Sequence, residues 1–181
     1  MAILKVPVTS NDHIQGDPDA PVLLVEYGDY ECPHCGHVYP IIKHVQKHFG
    51  RRLGFVFRNF PLNEMHPNAE SAAEAAEFAA AHGRFWEMHD GIFENQANLD
   101  QPFLLELAES LELSASDLRS ALNGREYASR VRNDFLGGVR SGVNGTPTFF
   151  INGRRQDGSF EFEDLVAAID SVFTTMTRKT I

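Results

Sequence analysis

The chain has two cysteines in 181 residues, and they stand three apart in Cys32-Pro33-His34-Cys35. Placed at random, two cysteines take that separation roughly once in a hundred chains. Such a pair can hold a metal, close a structural disulfide or exchange disulfides with other thiols. Zinc normally takes four ligands, and without a second cysteine pair it would need His34 and His37, which a helix spreads around its axis. A structural staple belongs to small secreted scaffolds that cannot build a core, and a chain of 181 residues can build one. Redox exchange asks for one sulfur that ionises easily and a second that resolves, and the local sequence supplies both. It requires neither a metal nor an organic cofactor.

Pro33 suits the first position of a helix, where its missing N–H costs nothing, and this makes Cys32 the N-cap. The Cys32 sulfur then faces the unpaired amides around His34 and Cys35 and the positive end of the helix dipole, which favour a thiolate over a thiol. Cys35 lies one turn on, near enough to close a disulfide but inside the helix. Cys32 is therefore expected to be the exposed nucleophile and Cys35 the resolving partner. His34, when protonated, adds a positive charge that again favours the thiolate. A fall in the Cys32 pKa from ~8.5 to ~5.5 would stabilise the reduced form by about 2 kcal/mol at pH 7, roughly 45 mV in the oxidising direction. Six residues earlier, Glu26 lies in an otherwise apolar run. A buried carboxyl there has a raised pKa and can give or take the proton of Cys35.

Positioning these groups takes a strand before the pair and a helix after it. VLLVEY, 22–27, is a nearly continuous apolar run of strand length, the pattern of a central strand covered on both faces. Val38, Ile41, Ile42, Val45 and Phe49 then recur at helical spacing as far as Gly50, with Pro40 expected to kink the helix. RLGFVFRNF, 52–60, is a second strand, which completes a parallel βαβ unit with a right-handed crossover. ILKVPV, 3–8, reads as an edge strand that tolerates Pro7.

Between residues 61 and 142 there is no strand signal. Five helices are expected there: over 69–83, along Phe85 to Phe93, over PFLLELAESLEL, from a Ser114–Asp117 capping pair to Gly124, and along the Tyr127, Val131, Phe135, Val139 stripe. Glu70, Glu74 and Glu77 read as a solvated flank, and Phe85, Trp86, Met88 and Phe93 as core. His66, His82 and His89 show no partners and carry no assigned role. TPTFFING, 146–153, is a strand ending in an Asn152-Gly153 turn, Arg154 to Gln156 pair back, and FEDLVAAIDSVF, 162–173, is a closing helix before a frayed basic tail, MTRKTI. The order is that of an α/β protein in which 1–60 and 143–181 share one sheet and 61–142 form an inserted helical cap.

Sixteen Lys and Arg against 25 Asp and Glu give a net charge of −9, which argues against nucleic acid or an anionic membrane as a partner. The start MAILKVPVTSNDH lacks the apolar stretch and cleavage site of a secretory leader, and no apolar run is long enough to span a bilayer. A soluble, cytoplasmic monomer is expected; removal of a leader would place it in the periplasm or elsewhere outside the cytoplasm.

CPHC after VLLVEYGDYE, an inserted helical block and then GVNGTPTFFING resemble the DsbA family of thioredoxin-fold thiol-disulfide oxidoreductases, over about residues 14–173. The resemblance implies a thioredoxin-like fold with an all-helical insertion. It implies disulfide exchange with protein or peptide thiols through the Cys32–Cys35 pair, recycled by glutathione or another redox partner. It implies also that Pro147 is cis and packs against the pair, and that the backbone of Thr146 pairs with an extended substrate segment. More narrowly, HIQGDPDAPVLLVEYGDYECPHCG, FRNFPL, GRFWEMHDGIFENQ and GVNGTPTFFINGR resemble a subgroup found both alone and fused behind sodium–proton antiporters, commonly without a secretory signal.

Two positions depart from that pattern. Thioredoxin-like sites often have a lysine beside the buried acid, whereas LGFVF, 53–57, has none and is followed only by Arg58. Pro40 resembles thioredoxin more than the periplasmic oxidants, which leaves the direction of electron flow open. The alternatives are a redox-sensing binding module without turnover and a glutathione-dependent isomerase or transferase on the same scaffold.

Overall fold

The computed structural model describes residues 2–179, and five strands in it form one mixed sheet in the order β1-β3-β2-β4-β5. They are β1 (His13–Gln15), β2 (Val22–Gly28), β3 (Leu53–Asn59), β4 (Thr148–Ile151) and β5 (Arg154–Gln156). β2 and β3 run parallel and are joined by helix α1 (Pro33–Phe49), while β1, β4 and β5 pair antiparallel with their neighbours. Central β2 reads as an apolar run because both its faces are covered. Alternation along the strand sends Leu24 and Glu26 toward α1 and the larger core, and Val25 and Tyr27 toward a smaller core with Val56, Phe60, Val143 and Phe150.

Between β3 and β4 lie α2 (Ala69–Ala81), α3 (Phe85–Glu94), α4 (Gln101–Ser110), α5 (Ala115–Gly124) and α6 (Ala128–Arg140), and α7 (Phe162–Lys179) closes the fold. The buried faces of α2 to α5 join the same hydrophobic cluster as α1 and the sheet, so the insertion shares a core with the scaffold that carries the cysteines. On the other face, Phe135 of α6 stacks on Phe60 with ring centroids 4.4 Å apart.

Residues 3–8 do not form the expected edge strand; only Ile3 bridges to Arg154. Pro7 has no N–H to give, Arg58 takes the carbonyls of Val6 and Pro7 at 2.8 and 3.0 Å, and the Lys5 N–H goes to Ser141 Oγ at 2.9 Å. The edge strand forms instead from His13 to Gln15 against Phe55 to Phe57. α5 ends at Gly124 as expected, but Arg125 rather than the glycine takes the left-handed cap position at φ 55, its guanidinium held by Glu70 and Glu74. Glu74 and Glu77 are not a solvated flank but 1% and 4% exposed. Arg125 reaches Glu74 at 3.3 Å, and Glu77 accepts hydrogen bonds from His13 and Asn59, which tie α2 to the sheet. Pro40 sits exposed within an uninterrupted α1. α7 continues beyond Phe173 to Lys179, and residues 180–181 of the expected frayed tail lie outside the described residues.

Candidate active site

Cys32 caps α1 with an extended backbone, φ −70 and ψ 120, and Pro33 opens the helix. Its Sγ makes no complete hydrogen bond to the first-turn amides and lies 3.4 Å from the carbonyl oxygen of Thr146. Both cysteines are free thiols, 4% exposed at Cys32 and 0% at Cys35. The expected open nucleophile is therefore a covered one in this dithiol state, because the segment at Thr146 and Pro147 approaches it. The Thr146–Pro147 peptide bond is cis, and Pro147 is buried.

The two sulfurs are electrostatically unlike. Cys32 is drawn from the ordinary 9.0 down to about 5. The hydrogen bond from the Cys35 thiol is the largest cause, burial works against it, and the Thr146 side chain and the amides of Cys35 and His34 add to the pull. The Thr146 hydroxyl is buried without another partner, so it is available to a thiolate. Burial pushes the Cys35 thiol up, and its bond to Cys32 and the charges of Glu26 and Cys32 act in the same direction. One sulfur is thus poised as an anion and leaving group, the other as a proton carrier.

Glu26 is 4% exposed, and burial first, then the Cys32 charge, raises its carboxyl to about 8. Arg58 does not stand in for the missing lysine: it lies on the other face of the sheet, bonded to Asp12 at 2.7 Å and to the Tyr27 hydroxyl at 2.9 Å. The cation that borders Glu26 is Lys43 of α1, across a cavity of about 10 Å³ that they line together, enough for about one water. His34 is exposed on the first turn of α1, and its side chain makes no hydrogen bond to a described residue.

Four residues without an assigned role in the sequence brace this arrangement. The Asp29 carboxylate accepts from the amides of Glu31 and Leu62 and from His66 Nδ1, each at 2.8 Å. The Glu31 carboxylate holds the backbone and side-chain amides of Asn68 at 2.6 and 2.9 Å. Gln96 Nε2 donates to the carbonyls of Tyr30 and Cys32 at 2.9 and 2.8 Å, and its amide lies over Gly36, where a Cβ would collide with it. His89, also unassigned, is buried and hydrogen-bonded to the Tyr30 hydroxyl at 3.0 Å. The signals available in sequence were the acids of GDYE immediately before the pair and the polar residues of NEMHPN, but their partners lie 33 to 66 residues away.

Among the described residues no group of three or more His, Cys, Asp or Glu converges as a metal site, and no helix is long and apolar enough to cross a membrane. A groove of about 590 Å³ between residues 61–65, Glu70 of α2, Arg125 and helix α6 contains neither cysteine. The cysteine pair sits instead where α1, the Thr146–Pro147 turn and the insertion meet.

A family model described as thioredoxin matches residues 8–171. The chain is 46% identical over 171 residues to "Na(+)/H(+) antiporter NhaA 1" of Salinispora arenicola, covering 94% of this chain and 26% of that protein. It is 36% identical over 170 residues to "Na(+)/H(+) antiporter NhaA" of Herminiimonas arsenicoxydans, covering 93% and 27%. The chain thus spans about a quarter of the length of these curated relatives. Among solved structures, oxidised BdbD from Bacillus subtilis superposes with a TM-score of 0.87 at 26% identity, covering 96% of this chain and 98% of that one. Wolbachia pipientis alpha-DsbA1 shares the fold, with a TM-score of 0.82 at 22% identity over 98% of each chain.

Proposed function

Since this chain belongs to the thioredoxin family and has the DsbA-type fold, we propose that it exchanges disulfides with protein or peptide dithiols through Cys32 and Cys35. The observation that carries the reading is the asymmetry of the pair: Cys32 drawn down to about 5 while burial pushes Cys35 up. In the oxidising direction a substrate thiolate attacks Cys32 Sγ of the Cys32–Cys35 disulfide, forming a mixed disulfide and releasing Cys35. Cys35 takes a proton, for which Glu26, with its carboxyl near 8, is the buried source. A second substrate thiolate attacks the substrate sulfur, closing the substrate disulfide and expelling Cys32 as a thiolate. The reducing direction runs the same steps backwards.

The Thr146 carbonyl lies against the sulfur, with cis-Pro147 next in the chain, so a substrate segment that pairs with the Thr146 backbone would be brought beside Cys32 and Pro147. Pro33 sets the start of α1, and exposed His34 supplies charge to the rim of the site when protonated. The chemistry needs no cofactor beyond the cysteine pair.

The test is multiple-turnover oxidation of a dithiol peptide with glutathione disulfide as recycling oxidant. Cys32→Ser is expected to abolish turnover and Cys35→Ser to accumulate mixed disulfides. Turnover by Cys32→Ser at the unmodified rate would end the proposal, and a single stoichiometric oxidation without turnover would move it to redox sensing.

A further inference from the structure

We propose that His66 is a positioning residue of the redox pair: its ring is anchored on Asp29, whose main chain touches both cysteines, and it takes up a proton when the disulfide is reduced. The inference rests on the redox reading above and adds a residue that has no sequence motif of its own.

The geometry runs through Asp29. Its side chain is 0% exposed and 2.8 Å from His66 Nδ1. Its main chain touches both cysteines, the carbonyl accepting from the Cys32 N–H at 3.2 Å and the N–H approaching Cys35 Sγ at 3.5 Å. A single residue therefore separates His66 from each sulfur's own segment. The loop holds the ring in place, since the amides of Met65 and His66 both bond to the Leu62 carbonyl at 2.9 Å and the Leu62 amide returns to Asp29.

With Nδ1 committed to Asp29, Nε2 is the nitrogen left to titrate; it makes no hydrogen bond to a described residue. The side chain is 15% exposed, so protons reach it from solvent. The charges that face it are those of Asp29, Cys32 and Glu31, all negative when ionised. Burial pushes the imidazole down, but the Asp29 hydrogen bond and these three charges outweigh it and hold its pKa above the ordinary 6.5.

Only the thiolate contributes the Cys32 part of that field, and a disulfide does not. The coupling is reciprocal: whatever the Cys32 charge does to the proton affinity of His66, the His66 charge does to the thiolate. When a substrate dithiol reduces the Cys32–Cys35 bond, two electrons pass with it: one S–S bond breaks here and one forms in the substrate. Cys32 ends as a thiolate, Cys35 keeps one of the two protons released, and the second is shared between His66 and solvent.

Nuclear magnetic resonance titration of the His66 ring in the disulfide and dithiol forms of the unmodified protein tests this without a substitution. The dithiol form is expected to titrate about one unit higher; equal values would overturn the proposal. His66→Asn, which keeps a donor toward Asp29, is expected to raise the Cys32 pKa by about one unit and to shift equilibrium with glutathione toward the disulfide by at most about tenfold, or about 30 mV, at a pH where His66 is protonated and Cys32 ionised. That shift should vanish as pH rises through the His66 pKa, whereas a shift constant with pH would mark a merely structural role and overturn it. If Cys32 titrates near 5 in both proteins, His66 alone is removed; if it titrates near 9 in the unmodified protein, the redox reading itself fails.

Discussion

Replacing Cys32 by Ser should make the reduced protein lose a pH-dependent part of its stability that no packing change can mimic. Folding lowers the Cys32 pKa from 9.0 to about 5. The unfolded state then binds more protons than the folded state between those values, so this contribution grows with pH across the window and is lost as pH falls through the folded value. Integrated from those two values it amounts to about 2.7 kcal/mol at pH 7 and close to zero at pH 4, and solvent screening brings the former to about 2.

The comparison is best made in a Glu26→Gln background, because the Cys32 charge also raises the Glu26 carboxyl and would otherwise enter twice. The assay is urea unfolding of the reduced Glu26→Gln protein with and without Cys32→Ser, at pH 4 and pH 7. With a slope near 3 kcal/mol/M, the separation of the two midpoints should widen by roughly 0.7 M at the higher pH. A separation that stays constant would show that Cys32 folds as an ordinary thiol, and the electrostatic argument would be wrong.

Glu26→Gln alone should slow exchange by about a hundredfold at neutral pH if the carboxyl carries the Cys35 proton, read by stopped-flow oxidation of a dithiol peptide; an unchanged rate would take Glu26 out of the route. Since the stability associated with the Glu26 proton is lost as pH rises from 4.5 toward 8, the same variant should gain stability relative to the unmodified protein over that window. Gly36→Ala would ordinarily favour a helix by up to about 1 kcal/mol, but here it should cost about 1–2 kcal/mol in urea unfolding by displacing Gln96 from the carbonyls of Tyr30 and Cys32. Adding Gln96→Ala should remove that penalty, and a penalty that persists would place the clash elsewhere. His34→Pro should make the pair more reducing when equilibrated with glutathione; an unchanged potential would take His34 out of the mechanism.

Local physics made the start of the site readable. Pro33 at the first helical position and the apolar run ahead of it place Cys32 at an N-cap, and the spacing of Val38, Ile42, Val45 and Phe49 identifies the face α1 buries. What escaped were features decided by distant partners. The 3–8 segment has strand composition, yet its carbonyls are taken by Arg58 from 51 and 52 residues away. Glu74 and Glu77 look solvated on a helical wheel because the groups that pair with them belong to the cap of α5, α6, β1 and β3. The covering of Cys32 by Thr146 spans 114 residues, and the grip of Asp29 on His66 spans 37. A pattern read over a window of one helix cannot register such pairs, and in this protein they determine how the cysteines are held.

The central claim, that Cys32 is an anion at neutral pH, is tested most directly by thiolate ultraviolet absorbance of the reduced protein against pH, with Cys32→Ser as the blank. Half-ionisation near pH 5 is the expected result. Half-ionisation near pH 9, the ordinary thiol value, would contradict it.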